Sequence, residues 1–244
     1  MNRAKLVVMK FGGTSVANPE RVMLAARKAA KAKKAGKKIV VVVSAPGGMT
    51  DDLLGLANNV HPKPAGRELD TLLAAGEQVS IALFALALES LGIRAVSLTG
   101  SQAGITTDGH FGAAEITAIR PEKIRKALRQ NKVVVVAGFQ GATKEGDIAT
   151  LGRGGSDLTA IALAAALKAG HCEIYTDVEG VYTADPRDSS SVKKIRSISY
   201  DAMIKLAKTG AKVMQLKSLE LARRHKVAIH VKCSFNNKEG TWIK

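Results

Sequence analysis

Residues 18–43, NPERVMLAARKAAKAKKAGKKIVVVV, carry a helix directly into a buried strand, and their reading decides the fold. Asn18 is a natural helix cap and Pro19 a first-turn proline; Glu20–Ala35 then reads as a helix closed by Gly36. The run Lys38–Val43 lacks the polar alternation of a strand with one wet face. Such a strand is covered on both faces, as in a parallel sheet. The same alternation continues on either side. Leu6–Met9 reads as a buried strand, and Asp51–Asn59 as a short helix. Leu69–Leu91 is a long helix ended by Gly92. Arg94–Leu98 is a strand and Ala113–Ala118 a minor one. Helix Pro121–Gln130, strand Val133–Ala137 and a Gly-rich hairpin or loop over Gly141–Leu151 follow. Helix Asp157–Lys168, strand Cys172–Thr176, helices Tyr200–Lys208 and Gln215–His225, and strand Val227–Val231 complete the chain. Strand and helix alternating in this way specify an α/β fold with a mainly parallel central sheet.

The chain has 244 residues, 46% of them hydrophobic, enough for a substantial core. Cys172 and Cys233 are too few for a disulfide framework and suit a reducing, cytoplasmic compartment. The longest apolar runs fall far short of about 20 residues, so neither a membrane span nor a signal-peptide core is expected. Net charge is +16, from 37 Lys and Arg against 21 Asp and Glu. The cations are dispersed. Their densest cluster, Lys28, Lys31, Lys33, Lys34, Lys37 and Lys38, reads as a solvated helix face and the turn after it. Aromatic residues make up 4%, so no stacking platform accompanies it and no specific nucleic-acid partner is expected. The five His residues share no ligand spacing with the two Cys, and no transition-metal site is expected.

Three segments carry the residue types that phosphate chemistry needs: convergent backbone N–H groups, which require glycine, and a nearby cation. Lys10-Phe11-Gly12-Gly13-Thr14-Ser15 follows the first strand. Leu151-Gly152-Arg153-Gly154-Gly155-Ser156-Asp157 leads into a helix, with Ser156 or Asp157 as its natural N-cap and Arg153 able to clamp a carboxylate. The segment from Tyr175 to Arg187 leaves a strand end, where open α/β sheets bind ligands. Taken singly, each also reads as a tight turn, a capped helix or a turn-rich loop. No Walker loop occurs in the chain.

Taken together, these segments resemble the aspartate kinases of the amino-acid kinase superfamily. Arg67-Glu68-Leu69-Asp70, Gly76-Glu77, Leu98–Gly104, Ala137-Gly138-Phe139-Gln140-Gly141 and Gly210-Ala211-Lys212-Val213 extend the resemblance collinearly from about residue 5 to about residue 240. It implies a three-layer αβα sandwich with one catalytic domain. An amino-acid-binding lobe would span about 1–140 and a nucleotide-binding lobe about 141–244, with a boundary near Gly138–Gly155. It implies transfer of the γ-phosphoryl of ATP, with Mg²⁺ held mainly by phosphates and water, to the side-chain carboxylate of L-aspartate. That carboxylate is already ionised at neutral pH, so no general base is needed.

The resemblance also implies roles. Lys10 would neutralise the transferring phosphoryl group, and Asp157 would orient Lys10 or other donors. Gly12 and Gly13 would hold phosphate oxygens through their N–H groups, supported by Thr14 and Ser15. Thr50, Glu77, Arg153 and Ser156 would contact the amino acid, Glu77 through its ammonium group. Thr176, Asp177, Tyr182, Arg187, Lys212 and Val213 would bind the nucleotide. A homodimer is expected.

The sequence departs from the family pattern at Ser44–Asp51, where Pro46 and Met49 stand in a segment more often Ser-Ala-Met-Gly-x-Thr-Thr-Asp, and at Gln78, where Arg is common. No regulatory ACT domain is expected after residue 240. An amino-acid kinase acting on glutamate or a nucleoside monophosphate, or a non-catalytic binding module, are the competing readings. Retention of Thr50, Glu77 and Arg153 argues against the first, and retention of Lys10, the glycine loop and Asp157 against the second.

Overall fold

The computed structural model describes residues 5–183, 192–209 and 213–244. Its main sheet has eight strands in the order β10-β12-β11-β9-β1-β2-β6-β3. These are β1 (Leu6–Phe11), β2 (Lys38–Val43), β3 (Ala95–Leu98), β6 (Val133–Ala137), β9 (His171–Thr176), β10 (Ser197–Ile198), β11 (Ile229–Cys233) and β12 (Thr241–Ile243). Every pairing is parallel except β11 with β12. The first strand lies at the centre, between β2 and β9.

The continuous apolar runs are explained by two cores. Val7, Met9, Phe11, Val41 and Val43 face one side of the sheet, while Val8, Val40 and Val42 face the other. Helices α1 (Pro19–Lys34) and α3 (Arg67–Ser90) close the first side with Val22, Ala26, Ile81, Phe84 and Leu88. Helices α4 (Glu122–Arg129), α5 (Gly155–Leu167), α6 (Tyr200–Lys208) and α7 (Leu216–His225) close the second with Ile124, Ile161, Met203 and Leu219. This is the expected three-layer arrangement. Asn18 caps α1 as expected, its Oδ1 accepting from Arg21 N at 2.9 Å.

A second sheet, in the order β5-β4-β7-β8, was not anticipated as such. It comprises β4 (Ile105–Thr107), β5 (Ile116–Ile119), β7 (Gln140–Ala142) and β8 (Ile148–Thr150). The Gly-rich segment forms its β7–β8 hairpin, and the minor strand expected at Ala113–Ala118 begins at Ile116. Helix α2 (Met49–Val60) precedes α3.

By length and composition α3 is apolar enough to cross a membrane, although its contiguous apolar runs are short. Gly76, Glu77, Gln78 and Ser80 interrupt the apolar run while the average stays apolar. Half of the apolar stretch is buried, and Asp70 and Glu77 are buried with it, as in a core helix. The cation cluster is also less uniformly solvated than expected. Lys28 donates to Asn236 O at 2.7 Å, and its Nζ lies 5.7 Å from the Tyr175 ring centre.

Candidate active site

The carboxyl ends of β1 and β2, the first turns of α2 and α5, and one face of α3 converge on a cavity of 290 Å³. Seven residues singled out in the sequence line it: Lys10, Gly13, Thr50, Glu77, Arg153, Ser156 and Asp157. They come from both sides of the boundary near residue 140, and the strands of the main sheet divide in the same way, with β1, β2, β3 and β6 on one side and β9 to β12 on the other.

Lys10 precedes the last residue of β1, and its Nζ lies 2.7 Å from Asp157 Oδ1. The two side chains are 12% and 11% exposed, so the pair is largely withdrawn from water yet reaches the cavity. Asp157 stands in the first turn of α5, where the helix dipole favours negative charge.

The cap of α5 differs from the expectation. Gly154, at φ +77°, takes the N-cap position, and the helix begins at Gly155. Ser156 and Asp157 therefore lie inside the first turn, and their side chains are released from capping to face the cavity.

Glu77 is almost wholly buried on α3. Its Oε1 accepts from Ala45 N at 2.8 Å. Among the described residues its Oε2 has no partner. Burial, partly offset by the Ala45 hydrogen bond, pushes its carboxyl up to about 7. The neighbouring Gly76 explains the pairing of these two residue types. A Cβ at Gly76 would lie 2.7 Å from Ala45 Cβ, so only glycine lets α3 approach the Ser44–Gly48 loop closely enough for Glu77 to reach it.

The glycine loop behaves differently at its two glycines. Gly12 N–H donates to Tyr175 O at 3.3 Å, and Gly12 does not line the cavity. Gly13 lines the cavity, and a Cβ there would fall 2.9 Å from Ala45 O. Thr14 and Ser15 support the loop from behind. Thr14 O accepts from Arg21 Nη1 at 2.8 Å, and Ser15 Oγ lies 2.5 Å from Ser234 Oγ.

Thr176, Asp177, Tyr182 and Val213 do not line this cavity. Thr176 Oγ1 donates to Asp177 Oδ1 at 2.9 Å at the exit of β9, beside the Tyr175 carbonyl that holds Gly12. Tyr182 pairs with Lys194, and Val213 packs partly buried on the core. Arg187 and Lys212 lie outside the described residues.

Phe139, Ala45 and Asp51 line the cavity without having been singled out. The signals for them were the Ala137–Gly141 and Ser44–Asp51 segments, both noted for their residue types but given no role for these positions. Among the described residues no three His, Cys, Asp or Glu side chains converge as a metal-holding set.

Comparison with known proteins gives the cavity a context. Residues 5–233 match the amino acid kinase family. The chain is 52% identical over 240 residues to an aspartokinase of Mycolicibacterium smegmatis, covering 98% of this chain and 57% of that protein. The chain thus spans somewhat over half the length of such curated relatives. The fold superposes on the crystal structure of aspartate kinase from Synechocystis with a TM-score of 0.87 and 48% identity, over 98% of this chain and 40% of that one. It superposes on E. coli aspartokinase III in complex with aspartate and ADP with a TM-score of 0.88 and 28% identity, over 98% and 64%.

Proposed function

Because the chain belongs to the amino acid kinase family, we propose that its cavity transfers the γ-phosphoryl group of ATP to the side-chain carboxylate of L-aspartate, giving 4-phospho-L-aspartate. The observation that carries this reading is the meeting of four groups in one cavity: Lys10, Asp157, Glu77 and Arg153. An aspartate acceptor brings an ammonium, an α-carboxylate and a reacting carboxylate. Glu77 Oε2, buried and unpartnered among the described residues, suits the ammonium. Arg153 suits the α-carboxylate through paired N–H donors. Thr50 and Ser156, from the first turns of α2 and α5, supply hydroxyls to the same cavity.

Phosphoryl transfer asks mainly for positioning and for neutralisation of charge on the transferring group. Lys10 is placed for the second task. Asp157 fixes the direction of its ammonium, and the N-terminal end of α5 adds the positive end of its dipole. Gly13 permits close backbone approach at the same point. We assign the nucleotide to the strand ends on the β9 side, with Thr176, Asp177, Tyr182, Arg187, Lys212 and Val213. The amino acid is assigned to the side of α2 and α3. Mg²⁺ would be held mainly by the nucleotide's own phosphates and water. When bound it would neutralise phosphate charge.

The homologues named aspartokinase and the neighbour whose crystals hold aspartate and ADP support the choice of acceptor and nucleotide. Two buried free thiols suit a reducing compartment, and we assign the protein to the cytoplasm. A homodimer is supported by the exposed Leu56 and Val60 on α2 and Val79, Leu83 and Leu86 on α3. The test is ADP release with L-aspartate, L-glutamate or a nucleoside monophosphate as acceptor. Release with aspartate alone supports the reading, and equal release with another acceptor overturns it.

A further inference from the structure

The Arg67-Glu68-Leu69-Asp70 segment has no place in the chemistry described above, yet its last residue is 1% exposed and fully engaged. Asp70 Oδ2 accepts from Thr150 N at 2.6 Å and from Gly112 N at 2.9 Å, and its Oδ1 accepts from Thr150 Oγ1 at 3.0 Å. Thr150 ends β8, and the chain then runs directly through Leu151 and Gly152 to Arg153. The Gly112 loop touches the same stretch, since a Cβ on Gly152 would lie 3.2 Å from Gly112 O. Asp70 therefore ties down the Arg153 loop and the loop it rests on. Two flanking ties run along the same helix. Arg67 Nε donates to Asp147 Oδ1 at 2.7 Å at the hairpin tip, and Gln140 Nε2 donates to Ala74 O at 2.9 Å at its base. Glu77 stands on α3 two turns beyond Asp70, hence on the same helix face.

We propose that Asp70 is a positioning residue that fixes the separation of Arg153 from Glu77, and so sets the fit of the cavity to an α-amino acid. A single rigid helix carries Glu77 directly and holds Arg153 through Asp70. The α-ammonium and α-carboxylate of an amino acid have a fixed spacing, so a cavity reading both needs its two recognition groups held at a matching distance. Misplacement by about 1 Å is enough to cost on the order of 100-fold in catalysis. The kinetic consequence rests on the proposed roles of Glu77 and Arg153; the mechanical one does not.

The test compares Asp70→Ala, Asp70→Asn and Thr150→Val with the parent chain by steady-state kinetics and amide hydrogen exchange. In Asp70→Asn the amide oxygen can take the two backbone N–H donors and the amide nitrogen can donate to Thr150 Oγ1, so all three bonds are retained. Thr150→Val removes only the Oδ1 bond and keeps the shape, which guards against a poorly folded alanine variant. Expected are a rise in the KM for aspartate of about tenfold or more in Asp70→Ala and about threefold in Thr150→Val. The KM for ATP should stay within about twofold, and Asp70→Asn should fall near the parent. The Thr150 and Gly112 amides should exchange faster in Asp70→Ala while β1 and β2 remain protected. Aspartate and ATP constants moving together, or unchanged exchange at Thr150 and Gly112, overturns the proposal. Should the parent chain make no aspartyl phosphate, the functional reading fails by itself, and exchange still decides whether Asp70 holds the loop.

Discussion

Lys10 Nζ on β1 and Asp157 Oδ1 in the first turn of α5 lie 2.7 Å apart, in side chains about one-tenth exposed. This pair joins the central strand to the helix that follows the β7–β8 hairpin, and it places one ammonium in the wall of the cavity. Burial makes the direction of that ammonium matter, because the pair cannot be replaced by bulk water.

Replacing Lys10 by Ala is expected to lower turnover by about 10²- to 10³-fold, the scale set by losing one preorganised donor to a developing charge. The fold should survive. Asp157 retains the favourable dipole of α5 and an outlet to the cavity. Circular dichroism with a single cooperative melt, measured beside the rate, separates the two effects.

The elevated Glu77 carboxyl predicts two pH effects of opposite benefit. Its folded-state pKa, about 7, lies above the ordinary carboxyl value of 4.5, so the folded chain holds the proton more tightly than the unfolded one. Its contribution to stability is therefore fully present below about pH 4.5 and is lost as pH rises to about 7, amounting to about 3 kcal/mol. Aspartate recognition runs the other way, because the ammonium needs the ionised form. The KM for aspartate should fall between pH 6 and pH 8. In Glu77→Gln both trends should flatten, as seen in denaturant titrations and initial rates across that range.

Gly76→Ala should damage function more than folding. The added methyl would meet Ala45 Cβ at 2.7 Å and push the Ser44–Gly48 loop off α3, weakening the Glu77–Ala45 bond. Overpacking of this kind costs about 1–3 kcal/mol. The expected result is a protein that still folds, with the KM for aspartate raised more than the KM for ATP.

Asn18→Ala removes the side-chain cap of α1 far from the cavity. It should cost about 1 kcal/mol, or about 2–4 °C in Tm, with kinetic constants unchanged. An equal loss of activity would mean that α1 and the glycine loop, joined through Arg21 and Thr14 O, are mechanically coupled.

The centre of the main sheet was legible because β2 and β6 are written in unbroken β-branched runs, whereas the short edge strands β10 and β12 carry no such signal. Lys38–Val43 and Val133–Ala137 can serve only where both faces are covered. The second sheet was not, because β4, β7 and β8 have three residues each, too few to show a period, and its two local strand pairs are joined only by Thr106 pairing with the distant Ala142. Lys10, Glu77, Arg153 and Asp157 were legible from their residue types and family-like surroundings. The role of Ser156 and Asp157 in α5 was misread, since a Gly N-cap at φ +77° leaves no side-chain signature. Gly12 shows the same limit, because its N–H partner is a carbonyl on another strand. Asp70 was visible only as part of a motif. Its partners Gly112 and Thr150 are far away in the chain, and only the fold brings them to it.

The proposed reaction of this cavity is phosphorylation of the side-chain carboxylate of aspartate. Its most direct test is trapping of the acyl phosphate with hydroxylamine in the presence of ATP, with L-aspartate, L-glutamate or no acceptor. Hydroxamate is expected with aspartate alone, and is expected to be lost in Lys10→Ala. Hydroxamate formed equally with glutamate, or undiminished by Lys10→Ala, would contradict it.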